Sequence, residues 1–249
     1  MASLELMQLA DASFPSGSFA FSNGLESLAK LGYLKTMPDF RQYLSCHLEQ
    51  FASAELPFLN SAFAATDPPA MPAPAMAGSE PASASIATTR IPAAPETFAD
   101  VAREWDAWVF LPAQRRASLS QGQAWSTALE AARGDECVVQ VRPWFARHGL
   151  PLHFLMALAA GLRAAGFSLD DGRQLLLHMA LRDQLGAAVR LGLLGSMQAQ
   201  KLHGEHISVG EAFCAARADW THSQAVRAAP MIDLGQASHG QLYSKLFQS

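Results

Sequence analysis

Apolar side chains recur every three to four residues along most of this chain, and that spacing strongly limits its fold. The longest run covers residues 38–64, with apolar positions at Phe40, Tyr43, Leu44, Leu48, Phe51, Leu59 and Phe63. We expect one long helix there, with a kink at Pro57. No segment sustains the two-residue alternation of a half-buried strand. The sequence therefore predicts an all-α, single-domain bundle of about eight to ten helices over residues 1–249.

Composition excludes several classes of protein. Of the 249 residues, 50% are hydrophobic and 16% are charged, which is enough apolar area for a substantial core. The net charge is −4 and the 18 Lys and Arg residues are dispersed, so we expect no nucleic-acid partner. Arg163 and Arg190 interrupt the longest apolar runs, so no membrane association is expected. With no basic leader and three scattered cysteines, a cytoplasmic location is expected.

Residues 66–95 differ in kind from the rest of the chain. They hold seven of the 14 prolines, many alanines and no aromatic residue. Such a segment cannot bury enough apolar area to offset the entropy lost on ordering. We expect a disordered insertion within the domain, with an inert surface loop as the simplest role.

A short aromatic loop separates the first two helical patterns, within residues 4–32. Pro15 fixes its own φ and Gly17 can adopt a positive φ, so the backbone chemistry shapes the loop. Ser22 or Asn23 can cap the following helix, and Glu26 falls in its first turn, where a negative charge is favoured. The loop aromatics, which need burial in this core or against a partner, are Phe14, Phe19 and Phe21.

We find no catalytic or metal-binding motif. His203 and His206 could meet on one helical turn, but no third ligand follows, so we favour a structural role. The Cys46-His47 pair is better explained by packing inside a helix. Asp170-Asp171 suits helix capping after Ser168. The chain also lacks a phosphate-binding P-loop. We therefore predict a non-enzyme with no tightly bound cofactor and no metal site.

The loop region carries a recognisable pattern. The run LMQLADASFPSGSFAFSNGLES resembles the opening of the urease accessory protein UreF family, roughly L-x-Q-L-x-D-S-x-x-P-x-G-x-F-x-x-S-x-G-L-E. The matching positions are Leu6, Gln8, Leu9, Asp11, Pro15, Gly17, Phe19, Ser22, Gly24, Leu25 and Glu26.

Three later segments extend the resemblance. Arg116 and Ser118 are retained from an E-x-R-x-A-S-x-x-x-G segment, with Gln114 in the acidic position. A core segment matches at Ala188, Val189, Arg190, Leu191, Gly195 and Gln200. Leu194 and Ser196 replace its usual Pro and Gln, so we expect the helix there to run on with less of a kink. The C-terminal segment matches at His239, Leu242, Tyr243, Ser244, Leu246, Phe247 and Ser249, with Lys245 replacing Arg.

The resemblance implies a non-catalytic, all-α urease maturation factor. Similar proteins dimerise, join the accessory protein UreD (also called UreH), and recruit the GTPase UreG that delivers nickel to the urease apoprotein. Nickel would thus be handled through partners. Partner-binding positions carried over from the family pattern and the aromatic loop are Phe14, Pro15, Gly17, Phe19, Ser22, Gly24, Glu26, Arg190, Gly195, Gln200, His239, Tyr243, Lys245, Leu246 and Phe247. Alternative functions are an interaction scaffold of another pathway or a helical enzyme with an unrecognised site.

Two features allow sharper hypotheses. We expect residues 230–249 to form a partner-binding tail outside the core, because Tyr243, Leu246 and Phe247 would share one face of a helix. Arg190 lies in an apolar helix and needs either the surface or a carboxylate. Three interpretations are open: an internal Arg–carboxylate pair, a position with Glu26 bordering the GTPase-binding surface, or an arginine finger.

Overall fold

The computed structural model describes residues 3–66 and 96–248. Regular structure in these residues is helical throughout. The α-helices are α1 (Leu4–Ala10), α2 (Leu25–Lys30), α3 (Met37–Gln50), α4 (Leu56–Ala64), α5 (Phe98–Trp108), α6 (Pro112–Arg133), α7 (Glu136–Val139), α8 (Val141–Arg147), α9 (Phe154–Ala164), α10 (Leu169–Arg190), α11 (Ser196–Ala215) and α12 (Pro230–Ser238).

The number of helices agrees with the prediction. A π-helical turn, Phe51–Glu55, joins α3 to α4, and only Gln140 separates α7 from α8. The α- and π-helical residues of the described chain therefore form ten runs, apart from short 3-10 segments. In the same residues the backbone forms no strand, and its β-type pairing is an isolated bridge between Thr66 and Thr97. The all-α bundle expected from the sequence is confirmed.

The long helix predicted over 38–64 is present and its irregularity has a local cause. Pro57 has no backbone N–H, so it leaves the carbonyl of Ser53 without an intrahelical donor. The backbone N–H of Val226 donates to that Ser53 oxygen at 3.0 Å. The π-helical turn lies directly before the proline, which is where the helix must adapt its geometry.

The core is centred on α9. Every residue from Leu155 to Leu162 is buried, and the helix packs closely against α6. Gly122 of α6 permits this approach, because a Cβ atom there would lie 2.0 Å from the carbonyl oxygen of Leu152. The buried apolar side chains of the other helices join the same cluster.

The end of α10 corrects one expectation. The helix does not run on past Arg190. It ends because Gly192 adopts φ +72°, and the N–H groups of Gly192 and Leu193 bond to the carbonyls of Val189 and Ala188. The start of α10 matches the prediction, since Ser168 and Asp171 cap it reciprocally.

The predicted insertion lies outside the described residues except for Thr66. The backbone N–H of Thr66 donates to Glu96 O at 3.1 Å, and the N–H of Phe98 donates to Thr66 O at 3.0 Å. The residues that flank residues 67–95 on either side are therefore hydrogen-bonded to each other. Within residues 3–66 and 96–248, no helix combines the length and apolarity required to cross a membrane.

Candidate partner-binding surface

The aromatic loop between α1 and α2 is shaped by its backbone. Gly17 has φ +76°, as its sequence context predicts. Gly24 has φ +91°, and a Cβ atom there would lie 2.9 Å from the backbone nitrogen of Gln236 in α12. The Ser22 hydroxyl accepts the N–H of Glu26 at 3.4 Å and so contributes to capping α2. The loop thereby brings α2 directly against α12.

The three loop aromatics have different environments. Phe14 packs on Trp125 with ring centroids 5.1 Å apart, and Phe21 is buried. Phe19 is 74% exposed. Two rings therefore belong to this chain's own packing, while the third remains on the surface. Pro15 is also exposed.

The carboxylate of Glu26 is fully buried and holds the C-terminal tail. It accepts the backbone N–H of Leu246 at 2.7 Å and that of Phe247 at 3.1 Å. The ammonium of Lys30, one turn along α2, lies 2.8 Å away. Burial raises the pKa of Glu26, but these hydrogen bonds outweigh burial and hold the pKa below its usual value. Glu26 is thus an ionised anchor for the tail.

His239 completes the environment of this carboxylate. Its Nε2 atom lies 3.4 Å from Glu26 Oε2, and the side chain is buried. Burial lowers the pKa of His239, and the adjacent carboxylate offsets this only in part. The neutral imidazole can donate its Nε2–H to Glu26.

Arg190 lies between two aromatic rings. Its guanidinium carbon is 3.8 Å from the centroid of Phe19 and 4.3 Å from that of Phe247. Its Nη1 donates to the backbone oxygen of Phe19. Among the residues that the structure describes, no carboxylate lies within ion-pair distance of Arg190, so the internal Arg–carboxylate interpretation is wrong. Stacking on aromatic faces satisfies this cation instead.

The C-terminal tail differs from the prediction. Residues 242–248 are not helical, so Tyr243, Leu246 and Phe247 do not share a helical face. Phe247 is only 4% exposed and belongs to the core, whereas Leu246 is 61% exposed and Tyr243 is fully exposed. The placement of the whole tail outside the core is therefore wrong. Hydrogen bonding of two successive amides to Glu26 keeps the chain non-helical here and turns Phe247 inward.

The remaining site residues fall into two groups. Lys245 is exposed in the tail. Gly195 and Gln200 are also exposed, but they lie at the start of α11, and the contacts joining Glu26, Arg190 and the tail do not include them. Ser22, Gly24, Glu26, His239 and Phe247 are buried in this chain. The exposed apolar side chains of the loop and the tail are those of Phe19, Tyr243 and Leu246, which we call the tail surface.

The sequence analysis did not predict several of the contacts in this part of the structure. Lys30 stands four residues after Glu26, a spacing that predicts an ion pair on a helix, and it also donates to the backbone oxygen of Ser244. Ser118, retained from the family segment, bonds His153 Nδ1 at 3.0 Å, while His153 Nε2 lies 2.9 Å from Asp106. No local pattern links these three residues.

The Ser118 arrangement fixes the start of α9. Its hydroxyl also accepts the backbone N–H of Phe154 at 3.2 Å, and His153 is fully buried. Burial lowers the pKa of His153 despite the nearby Asp106 carboxylate. Ser118 and Asp106 are half-buried, and this network joins α5 and α6 to the start of α9.

The two histidines of α11 have different surroundings. His206 is buried and its Nδ1 atom contacts the backbone oxygen of Leu202, whereas His203 faces His178 with ring centroids 5.4 Å apart. Across the described ranges, no group of three or more His, Cys, Asp or Glu side chains could hold a metal ion.

Comparison with known proteins decides the family. The UreF family model matches residues 34–207, which is more than half of the chain. The chain belongs to the UreF family. It is 27% identical to the urease accessory protein UreF of Trichodesmium erythraeum, over 98% of this chain and 95% of that protein. It is 26% identical to UreF of Citrobacter koseri (99% and 97% covered) and 25% identical to urease accessory protein F of Arabidopsis thaliana (97% and 90% covered).

Membership in the UreF family supports an accessory role in urease maturation. Because UreF proteins are non-catalytic accessory proteins, the chain is not an enzyme. The aligned relatives span nearly the full chain.

Proposed function

We propose that this chain is a scaffold of urease maturation that joins a UreD-type (UreH) accessory protein and recruits a UreG-type GTPase for nickel delivery to the urease apoprotein. It would act in the cytoplasm, as a homodimer within the complex. It would handle nickel through these partners and carry no tightly bound cofactor of its own. Family membership supports the general role, and the tail surface supports the mode of action.

The observation that carries this proposal is the exposed apolar area on a tail that hydrogen bonds hold to Glu26. Phe19, Tyr243 and Leu246 are all exposed, yet the segments that bear them are fixed by Glu26 and Arg190. Exposed aromatic and aliphatic side chains on an ordered backbone lose little entropy on binding, so they suit the centre of a protein interface. We assign the tail surface to the UreD-type partner.

The structure changes how Glu26 would act in this scheme. Its carboxylate is buried beneath the tail, so it would influence the GTPase only through the tail that it holds. Arg190 is half-buried between Phe19 and Phe247 and has no free approach to a nucleotide, so no arginine finger is proposed. Both residues are positioning residues for the tail surface.

Co-purification tests the scheme. The tagged chain should retain a UreG-type GTPase when a UreD-type protein is co-expressed, and a cell lacking its own UreF should regain urease activity when it carries this chain. Recovery of neither partner, together with failure to restore urease activity, would refute the proposed function.

A further inference from the structure

A polar cavity of about 120 Å³ lies between α3, α5, α6, α10 and α12. It is large enough for several water molecules. Its lining includes the polar side chains of His47, Glu55, Gln121, Asp183, Arg227 and Gln236. Glu55 ends the π-helical turn, and such turns occur frequently at functional sites.

Several lining atoms lack a hydrogen-bond partner among the described residues. They are Trp105 Nε1, Gln236 Oε1 and His47 Nδ1. Trp105 and Gln236 are both more than nine-tenths buried. Leaving a buried donor or acceptor without a partner is unfavourable, so a polar occupant that bonds to these atoms is favoured. One donor and two acceptors match the hydrogen-bonding capacity of water.

Three acidic side chains line the cavity, and one of them has no ion-pair partner among the described residues. Asp233 of α12 pairs with Arg227 at 2.7 Å, and Asp183 of α10 pairs with Arg182 at 2.8 Å. Glu55 has no ion pair within residues 3–66 and 96–248. Burial raises the pKa of Glu55 to about 7, and Arg227 opposes this only weakly.

Other side chains that line the cavity with Glu55 come from α3, α5 and α6. Burial lowers the pKa of His47, on α3, to about 4, so its imidazole is neutral at neutral pH. The lining residues contributed by α5 and α6 are uncharged: Trp105, Trp108, Gln114, Ser118 and Gln121. Burial also raises the pKa of Asp183, and the Arg182 guanidinium and a hydrogen bond with Ser18 oppose this rise. Among the acids that line the cavity, Glu55 is the one without an ion pair in residues 3–66 and 96–248.

We propose that this cavity is a hydrated proton-binding site, in which Glu55 carries the exchangeable proton and water molecules link it to Trp105 and Gln236. Loss of the proton places a carboxylate beside Arg227, where it competes with Asp233 for the guanidinium. Because Asp233 belongs to α12, and α12 leads directly to His239 and the tail, the proton state of Glu55 is coupled to the C-terminal element.

Carboxyl-carbon NMR of the full chain tests the proton site directly. We expect Glu55 to titrate with a midpoint near 7, against an ordinary value of 4.5. Glu55→Gln, a neutral isostere, supplies the assignment. A midpoint near the ordinary value would overturn the proposal without relying on any variant to fold.

The stability of the Glu55→Gln variant gives a second test. An acid with a raised folded pKa loses its stability contribution as pH rises through the interval from 4.5 to about 7. Over this interval the melting temperature of the variant should therefore rise relative to that of the wild type. At higher pH this difference should persist. The exposed Glu211→Gln is the matched control and should follow the wild type. A constant difference between Glu55→Gln and wild type would contradict the proposal.

Two further measurements test the hydration of the cavity and the coupling of Glu55 to the C-terminal element. A crystal structure should show ordered water bonded to Trp105 Nε1 or Gln236 Oε1, and a dry cavity would overturn the hydration. Above pH 7, Glu55→Gln should slow amide exchange of α12 relative to wild type at the same pH. Unchanged exchange in α12 would remove the proposed link to the C-terminal element.

Discussion

Glu26 and Leu246 are 220 residues apart in sequence, and the carboxylate of the first accepts the backbone N–H of the second at 2.7 Å. A second oxygen takes the N–H of Phe247, so one buried acid holds two successive residues of the tail. This relationship organises the tail surface, because it turns Phe247 inward and leaves Leu246 outside.

Removing this carboxylate should release the tail. Glu26→Ala leaves two tail amides without their acceptor, and hydrogen bonds to a charged group contribute about 1.5–3 kcal/mol each. We expect the free energy of unfolding to fall by roughly 3 kcal/mol in urea titrations, with faster amide exchange at Leu246 and Phe247. Glu211→Ala, at an exposed position, should leave both measurements unchanged. Wild-type exchange rates in Glu26→Ala would show that the tail is held in another way.

The two rings around Arg190 predict a requirement for its planar shape. Lys keeps the positive charge but cannot stack between Phe19 and Phe247 as a guanidinium does. Arg190→Lys should therefore cost about 1–2 kcal/mol and expose Phe247 to faster exchange. Arg103→Lys, whose pairing with Asp100 is on the surface, is the control. Equal stability of Arg190→Lys and wild type would mean that charge alone suffices.

Substitution by alanine should have opposite effects at two glycines, because one is in close contact with another backbone and the other has open space. Gly24→Ala places a Cβ atom 2.9 Å from the Gln236 nitrogen at a φ of +91°, so we expect a loss of roughly 2 kcal/mol or more. Gly186, inside α10, has open space at the Cβ position. Gly186→Ala should stabilise the protein by about 0.5–1 kcal/mol. Thermal unfolding of both variants checks this, and a tolerated Gly24→Ala would contradict the packing of α2 on α12.

Buried histidines predict acid sensitivity. A His whose folded pKa is lowered contributes stability above its unfolded pKa and loses it as pH falls through the interval between the two. For His47 this interval runs from 6.5 to about 4, and the loss reaches up to about 3 kcal/mol. His47→Gln should flatten the fall in unfolding free energy over this interval, an effect opposite in sign to that of Glu55→Gln. If His47→Gln keeps the pH profile of the wild type, groups other than His47 cause the acid sensitivity.

Local sequence determines much of this fold but little of the tail site. Gly17, the Ser168 cap and the helical period of α3 and α4 follow from residue chemistry within one or two turns, so they could be predicted. The tail looked like an amphipathic helix because its spacing is helical. Its actual conformation depends on Glu26, which is distant in sequence.

The partner of Arg190 was unpredictable for a similar reason. Opposite charge suggested a carboxylate, yet the fold brings two aromatic rings from opposite ends of the chain to its guanidinium. α10 is buried on several faces, so its sequence pattern does not show what packs against the residue at its end. The network of Ser118, His153 and Asp106 likewise joins three helices that local patterns cannot relate.

Binding of a UreD-type protein to tail-surface variants tests the central claim most directly. Isothermal titration calorimetry should show that Leu246→Asp weakens binding at least tenfold, about 1.4 kcal/mol, with an unchanged melting temperature because Leu246 is exposed. Val139→Asp, an equally apolar exposed position on α7, should bind as wild type. Wild-type affinity in Leu246→Asp would contradict the assignment of the tail surface to this partner.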